Sequence, residues 1–369
     1  MNRLLCLICI TLLFGCEERN SVQTSGDEIE AKVEMSYARG LLISEVENGY
    51  RVTVRNPQDT TEIIGVYNLV KAVESGVDTI SIPVNSEGLS STTFVAFFDE
   101  IGEIDRISGV TFTDRVMNEN LLQNIADEKV RELTSAGEVD FEKVLDVNPD
   151  IFMAYTQDES AFSRIEKNDI RVVMNMEYME STPLGRAEWV KLAGCLTGKL
   201  DEATAKFDSI ASAYLALKEK AKSGNTPEVF TGSRYKDHWY APGRDSYIAT
   251  YIKDAGATYT FNEIEGRASA ELDMESVLVS VSDADYWGMV VSQDDPYTME
   301  QLMEIDPMYE RIKAVENSNV FFCNAAKSDY FGDAVMEPHV ILADLVSIFH
   351  PSLLPAHQPV YFSLVKGRE

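Results

Sequence analysis

Over residues 184 to about 222 the chain carries no proline and no strand signal, and after Gly198 the residues Ala203, Phe207, Ile210, Tyr214, Leu217 and Ala221 recur at spacings of three and four. That recurrence draws one apolar stripe along a helix of about twenty residues, which at about 1.5 Å per residue runs roughly 30 Å. Such a helix is as long as a small domain is wide. It predicts a rigid bridge between two bodies.

Both flanks support two bodies. Before the helix, residues 79–84, 104–111, 150–155 and 170–176 are short runs rich in β-branched residues, separated by helical stretches such as Phe141–Val147 and 161–167. After it come Glu228–Thr231, a helix over 247–255, then 274–281, 285–291 and 320–323, and a final helix Pro338–Phe349 closed by His350-Pro351. Alternation of this kind favours parallel strands with crossover helices. The expected fold class is therefore α/β, with two Rossmann-like lobes joined by a single long α-helix. An N-terminal β element precedes them, built from Leu41–Val46, 50–54 and 62–70, with Glu47-Asn48-Gly49 as a hairpin turn. The expected division is a lobe with its β element over 34–198, the linking helix over 199–223 and a second lobe over 224–369. About 350 residues after residue 15 exceed what one core serves, in keeping with two.

The first residues carry Arg3, an apolar run over 4–14 and then Leu13-Phe14-Gly15-Cys16. The run is too short to span a bilayer and suits a lipoprotein signal peptide over 1–15, cut ahead of an acylated Cys16. Residues 16–33 read as a polar tether. Cys6 and Cys9 leave with the signal, so Cys195 and Cys323 remain, expected as free thiols in apolar segments. A net charge of −29, or −30 once Arg3 is removed, repels phosphate backbones and anionic lipid. Nucleic acid is thus excluded as a partner, and the acyl anchor is the only expected membrane contact.

Three separated segments carry a family likeness: 178–189 (Tyr178-Met179-Glu180-Ser181-Thr182-Pro183-Leu184-Gly185-Arg186-Ala187-Glu188-Trp189), 239–247 (Trp239-Tyr240-Ala241-Pro242-Gly243-Arg244-Asp245-Ser246-Tyr247) and the ending 339–362 with Ile348-Phe349-His350-Pro351. Over roughly residues 50–365 the chain resembles the helix-linked (class III) periplasmic substrate-binding proteins of ABC importers. These receptors take ferric siderophores, haem or vitamin B12, and the likeness is strongest to the lipoprotein branch common in Bacteroidetes. The resemblance implies a monomer without a cofactor of its own, holding cargo that contains iron or cobalt between its lobes. It also implies docking of Glu142 and Glu275, one per lobe, onto arginines of the ABC permease dimer. A carboxylate in a first helical turn is favoured by the helix dipole and accepts paired bonds from arginine.

Ligands of open α/β folds bind beyond the carboxyl ends of strands. Tyr235, His238, Trp239 and Tyr240 follow Glu228–Thr231 closely, and on the other lobe Arg115, Tyr155 and Tyr178 follow strands. Aromatic rings stack on flat conjugated ligands, and Arg234 or Arg244 pairs with propionates or an anionic chelate. His238, Tyr235 or Tyr240 are candidate axial ligands to a cargo metal. The four histidines, His238, His339, His350 and His357, have no ligand spacing, so no metal site of the protein's own is expected. There is no Gly-x-Ser-x-Gly elbow and no Gly-x-Gly-x-x-Gly fingerprint. Residues 194–199 mimic a phosphate loop but are one residue short and are followed by Leu200, and they read as a break between helices. The expectation is a receptor and no enzyme. Two alternatives are a surface lipoprotein capturing haem or cobalamin for an outer-membrane transporter, and a secreted hydrolase.

Overall fold

The computed structural model describes residues 29–71, 79–155, 159–293 and 297–365. The apolar run 1–15, Cys16 and most of the expected tether lie outside the described residues. The tether is shorter than its composition implies, because Ile29–Lys32 already pairs antiparallel with Leu41–Val46.

That pair opens a five-stranded sheet with Gly49–Arg55, Ile63–Val70 and Thr79–Ser81. The expected hairpin is present, with Val46 opposite Gly49 and Asn48 at φ 64°. Gly49 is required, because a Cβ there would lie 1.8 Å from the Leu69 carbonyl oxygen. Thr79–Ser81 corrects the expectation that it begins the first lobe. It pairs parallel with Asn68, Leu69 and Val70 and completes the N-terminal sheet. Strand propensity marks a strand, but its neighbour is chosen by long-range packing.

The first lobe is a fully parallel sheet in the order Arg171–Met174, Ile151–Ala154, Glu87–Leu89, Ile107–Val110, Arg131–Glu132. The second runs Thr258–Tyr259, Glu228–Thr231, Tyr286–Val291, Val320–Asn324, Phe362–Leu364, with only the last strand antiparallel. Strand order reverses between Glu87–Leu89 and Ile151–Ala154 in one lobe, and between Glu228–Thr231 and Tyr286–Val291 in the other. Those are the topological switch points where α/β folds bind ligands.

The bridge is the 22-residue helix Leu200–Ala221, with Asp201 and Glu202 in its first turn and Lys218 and Lys220 in its last, the polarity its dipole favours. Its first half lies on the first lobe, where Lys206 pairs with Glu100 at 2.9 Å. Its second half lies on the other lobe, where Tyr214 donates to Asp254 at 2.9 Å and Lys218 pairs with Asp254 at 2.8 Å. Ala203, Phe207, Ile210, Tyr214 and Ala221 of the predicted stripe are buried. The break before it is a helix end: Val190–Thr197 stops at Gly198, whose φ is 76°. Cys195 and Cys323 are free and buried.

The 178–189 segment is mostly a clamp. Glu188, fully buried, accepts from the backbone N–H of Ser36, Tyr37 and Ala38 at 2.9, 2.8 and 2.7 Å and from Lys191 at 2.9 Å. Glu180 accepts from Arg39 N and Gly40 N at 2.9 Å and from the Trp189 indole at 3.1 Å. Two carboxylates thus supply acceptors for five consecutive N–H groups of the loop over residues 36–40. The 339–362 segment does the same at the other end. Asp344 takes the N–H groups of Tyr361 and Phe362 at 2.7 and 2.9 Å and the His357 ring at 2.6 Å. His350 is wedged between Asn225 and the Ala255 carbonyl.

Candidate functional site

The loops after the carboxyl ends of the first lobe's strands meet the corresponding loops of the second. Thr93 Oγ1 donates to the Phe331 carbonyl at 2.6 Å. Thr250 Oγ1 donates to the Ser181 carbonyl at 3.0 Å. Asn118 donates to Asp99 at 2.8 Å on its own lobe and to Asp333 at 3.5 Å across the junction. The two carboxyl edges therefore face each other. The site is the junction they form.

On the first-lobe side, Tyr155 ends Ile151–Ala154 and Tyr178 follows Arg171–Met174. Their rings meet edge to face at 5.9 Å, and both are over a third exposed (38% and 37%). Arg115 is exposed in the turn after Ile107–Val110, with its guanidinium 4.4 Å from the centre of the Phe112 ring.

On the second-lobe side, the stretch that follows Glu228–Thr231 is a hairpin. Ser233–Tyr235 pairs with His238–Pro242, which pairs in turn with Ser269–Asp273. Successive side chains of a strand point to opposite faces, and this separates the four rings. Tyr235, 62% exposed, lies 6.3 Å from Tyr240 on the outer face, and His238 and Tyr240 both reach Glu271, at 3.2 and 2.9 Å. Trp239 faces inward and is fully buried against Phe230, Trp287 and Tyr309. The expectation that Trp239 touches cargo is thus corrected to a core role.

The arginines divide in the same way. Arg234 is bound by Asp306 at 2.9 Å and Arg244 by Glu265 at 3.0 Å, so the charge of each is already met. Two others belong to the junction and were missed. Arg186 is held by Glu177 at 2.7 Å and lies 4.5 Å over the Tyr247 ring of the opposite lobe. Arg267 lies over the Tyr178 ring at 5.6 Å and its Nη1 donates to the Tyr178 carbonyl, again across the lobes. Burial pushes the pKa of Arg267 down, against the pull of the Tyr178 oxygen. Arg186 could have been suspected from its place in the 178–189 motif. Nothing periodic or local marks Arg267.

Beneath the hairpin, the second lobe holds a cavity of about 270 Å³ at its switch point. Thr231 and Gly232 come from one strand end and Met289 and Val290 from the other; Ile248, Phe321 and Phe362 close it. Gly232 sits at φ 114°, where a Cβ would lie 2.2 Å from the Tyr240 carbonyl oxygen, so the backbone that lines the cavity can only be glycine.

Glu142 and Glu275 occupy matching places. Each is the second residue of a seven-residue helix, Phe141–Val147 or Met274–Ser280, whose N-cap aspartate is Asp140 or Asp273. Each helix leads into a strand at its lobe's switch point, Ile151–Ala154 or Tyr286–Val291. Both glutamates are exposed; among the described residues Glu142 is paired only with Arg164, at 3.6 Å. Among the described residues no group of three or more His, Cys, Asp or Glu could hold a metal ion, and no helix is long and apolar enough to cross a membrane.

Two parallel-sheet lobes, one bridging helix and a junction of facing carboxyl edges define a class of bilobal solute-binding proteins. Residues 91–326 match the family model described as periplasmic binding protein, and the chain belongs to that family. An uncharacterized lipoprotein of Methanocaldococcus jannaschii is 26% identical over 294 residues, covering 77% of this chain and 69% of the relative. A periplasmic haem-binding protein of Pseudomonas aeruginosa superposes with a TM-score of 0.60 at 15% identity, over 78% of this chain and 99% of that one. The periplasmic vitamin B12-binding protein of Vibrio cholerae does so at 0.55 and 12%, over 73% and 98%.

Proposed function

We propose that the chain is a lipid-anchored receptor that delivers an iron complex, haem or a cobalamin-like ligand to an ABC importer. The observation that carries this reading is the junction itself, where exposed tyrosines of both lobes and an apolar cavity share the facing carboxyl edges of two parallel sheets. Tyr155, Tyr178 and Arg115 contact cargo from one side and Tyr235, His238 and Tyr240 from the other. Arg244 contributes only if cargo displaces Glu265. Closing two lobes about a continuous helix bends hydrogen-bonded backbone, so the hinge motion is small and the site largely preformed. The receptor works as a monomer, tethered outside the cytoplasm through acylated Cys16, and Glu142 and Glu275 meet one permease dimer. The lipoprotein relatives and the sequence of residues 1–16 support the anchor.

Absorbance titration of the purified protein with haemin, a ferric siderophore and cyanocobalamin tests the reading. Saturable one-to-one binding of one of them at micromolar concentration or below is expected. No binding of any would overturn it.

A further inference from the structure

The junction is more selective than its tyrosines alone imply. In a chain of net charge −29, Arg267 has no carboxylate within ion-pair reach among the described residues, while Arg186, Arg234 and Arg244 each have one. Its partners are a carbonyl and a ring face, and its Nε is buried without a hydrogen-bond partner. A half-buried guanidinium gains little from such neighbours and gains much more from an anionic oxygen. Two residues further along the chain, Ser269, the first residue of the strand Ser269–Asp273, lines the 270 Å³ cavity opposite Pro242, which lines it too. No charged side chain lines that cavity. The backbone of Arg267 thus lies at most about 7 Å from that of Ser269 on the wall of an apolar hole, the reach of two residues of chain.

We propose, resting on the receptor reading, that the cargo is an anion with an apolar body: the apolar part enters the second-lobe cavity, and Arg267 exchanges the Tyr178 carbonyl for an anionic oxygen of the cargo. Because Tyr178 belongs to the opposite lobe, that exchange also replaces a direct lobe-to-lobe bond by one that runs through the cargo. Arg267 is then both the charge sensor of the site and part of its closure. Uncharged chelates of similar size lose the exchange and are discriminated against.

Two matched pairs of probes test this: haemin against its dimethyl ester, and a ferric tris-catecholate against the uncharged hydroxamate ferrichrome, with cyanocobalamin as a fifth. In whichever pair binds, the anionic member is expected to bind at least about tenfold more tightly, the scale of one charged hydrogen bond. Arg267→Gln should erase that preference, Arg267→Lys should keep part of it, and Lys220→Gln on the linking helix should change nothing. Equal binding within a pair, a preference that survives Arg267→Gln, or tightest binding of cyanocobalamin would overturn the inference while leaving a receptor. Absence of binding by all five probes would instead overturn the receptor reading, and this inference with it. The ester comparison needs no variant, so a misfolded Arg267→Gln protein does not protect the proposal.

Discussion

Replacing Glu188 by alanine removes the acceptor of three backbone N–H groups and the counter-charge of Lys191, which is itself only 3% exposed. Lys191 would keep the Glu34 carbonyl at 2.8 Å and the Phe207 ring at 4.9 Å. Stripping one partner from a buried ion pair costs about 3–5 kcal/mol. The orphaned N–H groups of Ser36, Tyr37 and Ala38 belong to a loop that can loosen toward water, so they add about 1 kcal/mol rather than the sum of three charged bonds. The expected loss is about 4–6 kcal/mol, a large share of the 5–15 kcal/mol typical of a folded chain. Urea unfolding measures the total, and hydrogen exchange at residues 36–40 shows whether the clamp is what failed. Glu188→Gln with Lys191→Met should recover more than half. A loss below about 1 kcal/mol for Glu188→Ala, or unchanged protection at 36–40, would refute the clamp.

Arg186→Met leaves Glu177 buried and unpaired and should cost about 3–5 kcal/mol in urea unfolding, with part of the loss recovered by adding Glu177→Leu. Burial first, and the nearby Asp329 carboxylate next, push Asp333 up to about 6, with Asp99 and Glu337 adding to the rise and Asn118 opposing it. A folded-state pKa raised above the unfolded value means that ionised Asp333 destabilises the fold. The penalty is absent below about pH 4, grows toward pH 6 and is complete at pH 7. Asp333→Asn should therefore stabilise the protein by about 1–3 kcal/mol at pH 7 and by little at pH 4, checked by unfolding at both. Glu142→Arg and Glu275→Arg should each leave cargo affinity within about twofold and reduce cellular uptake more than tenfold, because an arginine would face the permease arginines that the glutamates are proposed to meet. Equal loss of affinity and uptake would remove the docking role.

The linking helix was legible because its stripe is a local, one-element pattern, and so were Phe141–Val147, Glu228–Thr231 and Pro338–Phe349, whose bounds the periodicity gives directly. Glu87–Leu89 was not, since three residues beginning with a buried glutamate carry no apolar run. The membership of Thr79–Ser81 and the hairpin at 233–242 depend on partners at a distance: the latter is fixed by Ser269–Asp273, and only that pairing decides that Trp239 points inward. The same limit applies to charge. Arg234 and Arg244 looked available in sequence because Asp306 and Glu265 are remote from them in the chain. Arg267 looked ordinary because its lack of a carboxylate is a property of the folded junction. The 178–189 motif marked the family correctly, while its acidic residues serve the fold.

Cargo held between the two facing carboxyl edges must shield residues of both lobes at once. Hydrogen–deuterium exchange of the intact protein, with and without a saturating amount of the cargo that binds in titration, tests this most directly. New protection is predicted together around Tyr155, Tyr178, residues 233–242 and Arg267, with none in the N-terminal sheet at Leu41–Val46. Protection confined to one lobe, or appearing in that sheet instead, would place the cargo somewhere other than the junction.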